Sequence, residues 1–256
     1  MTLLDSILLG ALEGFTEFLP ISSTGHLILA SELLGLPSTE FLKSFQIAVQ
    51  LGAIAAVVIL YWRSFLDIGM LKKLFVAFLP TGLVGFLVYP FVKGYLLGNS
   101  MVVVISLFVG GIALIVFELL HKEREDAPLD AKSITYKQAI LVGLFQSIAI
   151  IPGVSRSAAT IVGGLLAGMR RISIVEFSFL LAVPTMVAAT GYDLLKSAHT
   201  FAPADIQFMA VGFIVSLIVA LVSMKFLLRI VKRYTFIPFG VYRIVIALLF
   251  FFVVLY

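Results

Sequence analysis

Six stretches of this chain, 41–62, 74–92, 100–121, 173–195, 205–228 and 238–255, are long runs of apolar side chains. A helix needs about 20 such residues to cross the hydrocarbon core of a bilayer, so the lengths predict six transmembrane helices. Inside a bilayer the backbone amides must be satisfied by the protein itself, which restricts what can span it. The overall balance agrees: 61% of residues are hydrophobic and 12% charged, against about 25% charged in an ordinary soluble domain. A soluble class is excluded. The net charge of +4 carries no implication of nucleic-acid binding, because excess Lys and Arg in a membrane protein mark cytoplasmic loops. With no cysteine in the chain, disulfides and thiolate metal sites are excluded as well. The N-terminal stretch has no basic start and carries Asp5, Glu13 and Glu17. It reads as part of the working fold and not as a signal peptide.

Four shorter helical stretches, 2–18, 23–36, 134–150 and 156–168, form two pairs, and each pair is broken at a run of hydroxyls containing Pro. Irregular backbone at membrane depth is tolerated only where protein buries it or where it lines a cavity. Each pair is therefore expected to be a re-entrant hairpin with its tip inside the membrane. With residues 1–40 outside, the inner face receives Arg63, Lys72, Lys73, Lys122, Arg124, Lys132, Lys137, Arg170, Arg171, Lys225, Arg229, Lys232 and Arg233. The outer face receives Lys43, Lys93 and Lys196, and Arg243 lies in the last span near its inner end. The positive-inside rule then puts both termini on the extracytoplasmic side.

The two halves are related. At an offset of 133, Ile7, Leu8, Gly10 and Ser22 match Ile140, Leu141, Gly143 and Ser155, and Glu13 meets Gln146. One residue further, Phe45, Ala48, Val49 and Ala55 match Phe179, Ala182, Val183 and Ala189. A hairpin followed by three spans occurs in each half, and three is odd, so the second copy enters from the opposite face. The expected architecture is an all-α integral membrane protein with an inverted-topology repeat. Repeat one covers about 1–121, a cytoplasmic connector about 122–133, and repeat two about 134–256, all in one membrane domain.

Polar groups at depth are costly and functional by default. Glu13 and Glu17 are four apart and share a helix face. Buried together they require a shared proton, a bound cation or a basic partner, so they read as divalent-cation ligands or as an acid or base with an electrostatic companion. Ser22, Ser23, Thr24 and Gly25 follow Pro20 and precede an apolar run. Ser22 or Ser23 would cap a helix, and free N–H groups at a helix start, with hydroxyls added, bind phosphate. The second tip repeats this with Gly153, Ser155, Ser157 and Thr160 around Arg156. Arg156 reads as the one basic residue at depth, its planar fork suited to phosphate or to an ion pair with Glu13 or Glu17. His26 could deprotonate a nucleophile, protonate a leaving group or attack phosphorus. His121 and His199 lack such surroundings, and of Gln46, Gln50 and Asp193 in the spans, Gln50 is the best placed to reach the site.

These residues carry a resemblance. The stretch EGFTEFLPISSTGHL, Glu13 to Leu27, and the stretch PGVSRSAAT, Pro152 to Thr160, resemble the two signatures of the undecaprenyl-diphosphate phosphatase family, the bacitracin-resistance proteins, and the similarity extends over essentially the whole chain. Ala158 departs from the family's usual Gly. The resemblance implies a phosphatase that removes the terminal phosphate of undecaprenyl diphosphate, recycles the lipid carrier for peptidoglycan and depends on a divalent cation such as Mg or Ca. It implies a multi-pass protein of the bacterial plasma membrane whose site opens extracytoplasmically. Glu13, Glu17, Ser23, His26 and Arg156 would then be catalytic, Glu13 and Glu17 the metal ligands. Ser22, Thr24, Gly25, Gln50, Gly153, Ser155, Ser157 and Thr160 would contact substrate. Ser23 with His26 as base, His26 itself and an activated water all remain open as nucleophile.

The partners expected are a polyprenyl diphosphate lipid, the membrane and a second copy of the chain, with no nucleic acid. The rival class is a secondary transporter or lipid flippase, since inverted repeats with broken helices suit transport. Phosphatases of the phosphatidic-acid type need a further His downstream of Arg156, and residues 157–170 contain none.

Overall fold

In the computed structural model, residues 1–122, 130–197, 201–231 and 235–255 are described. His199, Arg124, Lys232 and Arg233 lie outside them, as does most of the connector. Among the described residues the chain forms ten α-helices and no strand. The first half comprises α1 (Leu3–Thr16), α2 (Ser23–Leu33), α3 (Glu40–Leu60), α4 (Ile68–Phe91) and α5 (Ser100–Leu120). The second half comprises α6 (Tyr136–Ile148), α7 (Arg156–Leu166), α8 (Arg171–Ser197), α9 (Pro203–Val231) and α10 (Ile237–Phe250).

The helix starts follow from local side chains. Thr2 and Thr135 open α1 and α6 with the same device, a capping box completed by Asp5 and Gln138. Thr39, Asp67 and Asn99 each accept a backbone N–H at the starts of α3, α4 and α5, satisfying donors that a helix N-terminus leaves free. Asp67 also meets Lys132 at 3.2 Å. The Met70 backbone N–H, together with Lys132, holds the Asp67 carboxyl below the usual carboxylate range.

Five helices are long and apolar enough to cross a membrane: α3, α4 with its continuation to Leu96, α5, α8 and α9. The sixth expected span is shorter. α10 has 14 residues before a π-helical turn takes over at Phe251, and its apolar stretch, Ile237–Val253, falls below the length of the other five. Pro238 near its first position sets where it can begin, since Pro lacks the N–H of a helix interior. α4 exceeds expectation, starting at Ile68 and running through Pro80 and Pro90.

The packing crosses between halves. α1 lies on α9 and α6 on α4, α3 contacts α8 and α9, α8 contacts α4, and α5 pairs with α10. Within each half the short helices pack as hairpins, α1 with α2 and α6 with α7. Small residues permit the close crossings, as expected where lipid offers no hydrophobic drive for helix association. A Cβ on Gly10 would stand 2.5 Å from the Gly212 carbonyl oxygen, and one on Gly52 2.5 Å from that of Phe213. Gly14 meets the Ser216 carbonyl and Gly143 that of Ala77 more closely still. The main core gathers Phe18, Phe177, Phe179, Leu180 and Leu181 between the first turn and α8.

Candidate active site

The two hairpin turns do the same unusual thing. Ser22 and Ser155 are the residues other than Gly with positive φ among the described ones, at 71° and 79°. Each caps the helix that follows, accepting the N–H of Gly25 at 3.4 Å and of Ala158 at 3.2 Å. A side chain in this region is strained, and such strain persists only where surroundings over-determine it. The consequence is a sharp reversal that aims the free N-termini of α2 and α7 into the molecule, with their unpaired N–H groups and dipole ends. The tips touch. Ser157 donates to the Leu19 carbonyl at 2.8 Å, and a Cβ on Gly25 would come within 3.4 Å of Gly153 Cα.

From this junction a cavity of about 670 Å³ opens between α4, α8 and the tips. Its polar end is lined by Glu17, Ser22, Ser23, Thr24, Gln50, Gly153, Ser155 and Arg156. Elsewhere the wall is largely apolar, with Phe78, Leu83, Phe86, Ile150, Met186 and Ala189 among its residues.

Arg156 joins the tips chemically. Its Nη2 donates to Glu17 Oε1 at 2.7 Å, so a cation from the second hairpin meets a carboxylate from the first. Nη1 donates to the Ser178 carbonyl at 2.8 Å and hydroxyl at 3.3 Å, while Nε is buried and unpartnered. The other Glu17 oxygen accepts a hydrogen bond from the Ser23 hydroxyl. Glu13 is fully buried off the cavity wall, and neither of its carboxylate oxygens has a partner. Glu17, Ser23 and Arg156 are its neighbours, with the Glu17 carboxyl and the Ser23 hydroxyl close to its oxygens.

An orphaned buried carboxylate beside a second carboxylate and a hydroxyl is an all-oxygen donor set of the kind hard divalent cations take. Among the described residues no group of three or more His, Cys, Asp or Glu could hold a metal. Glu13 and Glu17 are the carboxylates that could hold such a cation, with the rest of its shell coming from other oxygens such as water.

Of the three open alternatives, the pairing of Ser23 with His26 is not made in this structure. His26 Nδ1 lies 2.8 Å from the Ser22 carbonyl and Nε2 2.9 Å from the Tyr242 hydroxyl. A carbonyl only accepts, so Nδ1 carries a proton, and Nε2 is engaged by the Tyr242 hydroxyl. His26 is therefore committed on both sides and off the cavity wall. Gly25, Ser157 and Thr160 are off the wall too. Ser157 is occupied by Leu19 and Ser155, and Thr160 by the carbonyls of Arg156 and Ser157 and the Ser178 hydroxyl. Gln50 reaches the site by donating to Thr24 Oγ1 at 3.2 Å.

Several partners were not anticipated from the sequence. Ser178 fixes Arg156, and its only signal was its place one residue before the repeated Phe179. Arg243 is 1% exposed and inserted at the junction of the tips, so Arg156 is not alone at depth. An Arg amid the apolar residues of α10 is the available sign, placed in the sequence only as lying in the last span near its inner end. Lys93, assigned to an outer loop, is buried against Asp193 at 2.5 Å and lines the cavity together with Tyr89.

The family described as Bacitracin resistance protein BacA matches residues 6–249. The chain is 49% identical to an undecaprenyl-diphosphatase of Sulfurihydrogenibium sp. over 251 residues, 98% of this chain and 99% of that protein. It is 48% identical to the undecaprenyl-diphosphatase of Wolinella succinogenes over 253 residues and 49% to that of Aquifex aeolicus over 251, each covering 98% of both chains. With apolar helices of spanning length, a match over nearly its whole length and relatives this similar, the chain is a multi-pass membrane protein and belongs to the bacitracin resistance protein BacA family.

Proposed function

We propose that the junction of the hairpin tips is the active site of an undecaprenyl-diphosphate phosphatase, which releases inorganic phosphate and leaves undecaprenyl phosphate. One observation carries the assignment: Arg156 from one tip and Glu17 with Ser23 from the other meet at the polar end of an otherwise apolar cavity. That combination suits a diphosphate on a long hydrocarbon tail.

The terminal phosphoryl group would lie against Arg156 and the N-termini of α2 and α7, whose donors oppose the charge that grows on its oxygens during transfer. Arg156 is held by Ser178 and Glu17 with Nε still available. Ser23 already donates to Glu17, so Glu17 is the group placed to take its proton as the Ser23 oxygen attacks phosphorus and the bond to the bridging oxygen breaks. The bridging oxygen leaves as part of the lipid monophosphate, and water then releases phosphate from Ser23. His26, held between Ser22 and Tyr242, orients the first tip. A divalent cation bound by Glu13 and Glu17 would add positive charge beside the phosphates. The tail would follow the apolar wall between α4 and α8.

The same reading extends to the membrane. The hairpins are re-entrant and the halves an inverted repeat. Supporting this, the contact of α1 with α9 corresponds to that of α6 with α4 when the halves are exchanged, while α3 with α8 and α5 with α10 map onto themselves. The matched residues Gly10 and Gly143 sit in the corresponding crossings, and the matched Ser22 and Ser155 share their strained conformation. The distribution of Lys and Arg supports a plasma-membrane orientation with the site open to the extracytoplasmic side.

Purified protein in detergent, where no gradient exists, should release phosphate from undecaprenyl diphosphate and stop when a chelator is added. Movement of the lipid across vesicle bilayers with no phosphate released would replace this reading with transport.

A further inference from the structure

Arg243 lies in α10, far along the chain from either signature, yet its guanidinium ends between them. It donates to Val154 at 3.0 Å and Gly153 at 2.9 Å in the second tip, and to Pro20 at 3.4 Å in the first. It also donates to Ser106 at 3.1 Å and Leu107 at 3.4 Å in α5. All five acceptors are backbone carbonyls. Burying a guanidinium with no carboxylate is costly, and the α5 to α10 crossing is shaped to accept it. A Cβ on Gly110 would run into Nη2, and one on Gly111 would stand 2.8 Å from the Gly240 carbonyl oxygen.

We propose that Arg243 is a positioning residue that locks the two tips to each other and to α5, so that the Glu17–Ser23 pair faces Arg156 at the spacing the reaction needs. This rests on the tips being the phosphatase site.

Three features of the geometry distinguish this role from that of a buried structural charge. First, the acceptors are the turn residues themselves, so the guanidinium fixes the backbone from which the strained Ser155 cap and the α7 N-terminus start. The peptide that offers Arg243 the Val154 carbonyl carries the Ser155 N–H on its opposite edge, since the trans peptide sets the two antiparallel. Ser155 lies on the cavity wall. Second, the neighbouring Tyr242 hydroxyl holds His26 at 2.9 Å, with the rings stacked at 5.6 Å. Consecutive residues of α10 thus brace both tips. Third, among the described residues the direct hydrogen bond between the tips besides the Arg156–Glu17 pair is that from Ser157 to the Leu19 carbonyl, too little to fix two turns in register. A planar fork can reach several carbonyls at once, whereas an ammonium is a point charge.

The test uses full-length purified Arg243→Lys and Arg243→Ala with a short-chain prenyl diphosphate, counting folded enzyme by its monodisperse fraction in size-exclusion chromatography. Misplacement of about 1 Å at a reacting centre can cost about 100-fold in rate. The Lys variant should therefore lose about that much kcat per folded molecule while KM changes little, because the tail wall is untouched. Added methylguanidinium should restore part of the lost kcat in Arg243→Ala by reoccupying the slot. A Lys variant with wild-type kcat per folded molecule, or an Ala variant insensitive to methylguanidinium, would overturn the inference. Absence of phosphate release by the unaltered protein would instead overturn the phosphatase reading itself.

Discussion

At the scale of single residues, the site depends on the shape of one cation. Arg156 holds Glu17 with one nitrogen, Ser178 with a second, and keeps a third free. Arg156→Lys should therefore be nearly as damaging as Arg156→Ala, each lowering kcat by about 100- to 1,000-fold, the range for losing one charge-stabilising donor. Phosphate release by the two variants, compared at saturating substrate, checks this. Glu17→Gln keeps the volume but removes the acceptor for the Ser23 proton and the partner of Arg156, so kcat should fall by a similar factor. Glu13 is buried off the wall beside Glu17 and Ser23, with no well-formed hydrogen bond to either of its oxygens. Glu13→Gln should consequently raise the divalent-cation concentration needed for half-maximal rate, and an unchanged metal response would remove it from cation binding. Much of this site was legible in the sequence, because a carboxylate, an Arg or a run of hydroxyls in apolar surroundings has few uses there. Directions were not legible. Ser157 and Thr160 carry the same hydroxyl as Ser23, and only the turn geometry decides which of them points into the cavity and which caps its neighbours. His26 beside Ser23 suggested a catalytic pair, whereas the helix start turns the ring toward Tyr242.

At the scale of elements, the hairpins are set by two strained serines and by glycine crossings. Gly143 sits against the Ala77 carbonyl with no room for a side chain. Gly143→Ala should therefore destabilise the protein by about 1–3 kcal/mol, the usual range for overpacking, read as a lower unfolding temperature in detergent. Gly191 has open space around its Cα, so Gly191→Ala serves as the control and should leave that temperature nearly unchanged. The positions of the helices could be read from apolar runs and from Pro and hydroxyl punctuation. The length of α10 could not, since an apolar run does not reveal where an α-helix gives way to a π-helical turn. Nor could its function as a brace, because an Arg near a span end ordinarily signals topology.

At the scale of the whole molecule, the crossed packing of the halves makes each hairpin lean on the other half's helices. The tips therefore meet only when both halves are assembled. Orientation can be tested on a parent with no cysteine. Cysteine replacing the exposed Ser38, before α3, should react with an impermeant thiol reagent in intact cells. Cysteine replacing the exposed Ser133, in the connector, should react only after lysis. Reversed labelling would place the site on the cytoplasmic face.

The joining of the two tips into one phosphate-cleaving site is tested most directly by phosphate release from undecaprenyl diphosphate in detergent. Unaltered protein should be compared with Ser23→Ala and Arg156→Ala, which remove one group from each tip, and with the double variant. Release should be cation-dependent in the unaltered protein and severely reduced in each single variant. It should be scarcely lower in the double variant, because parts of one catalytic unit do not add. Near-normal release by either single variant, or losses that multiply in the double one, would contradict a shared site.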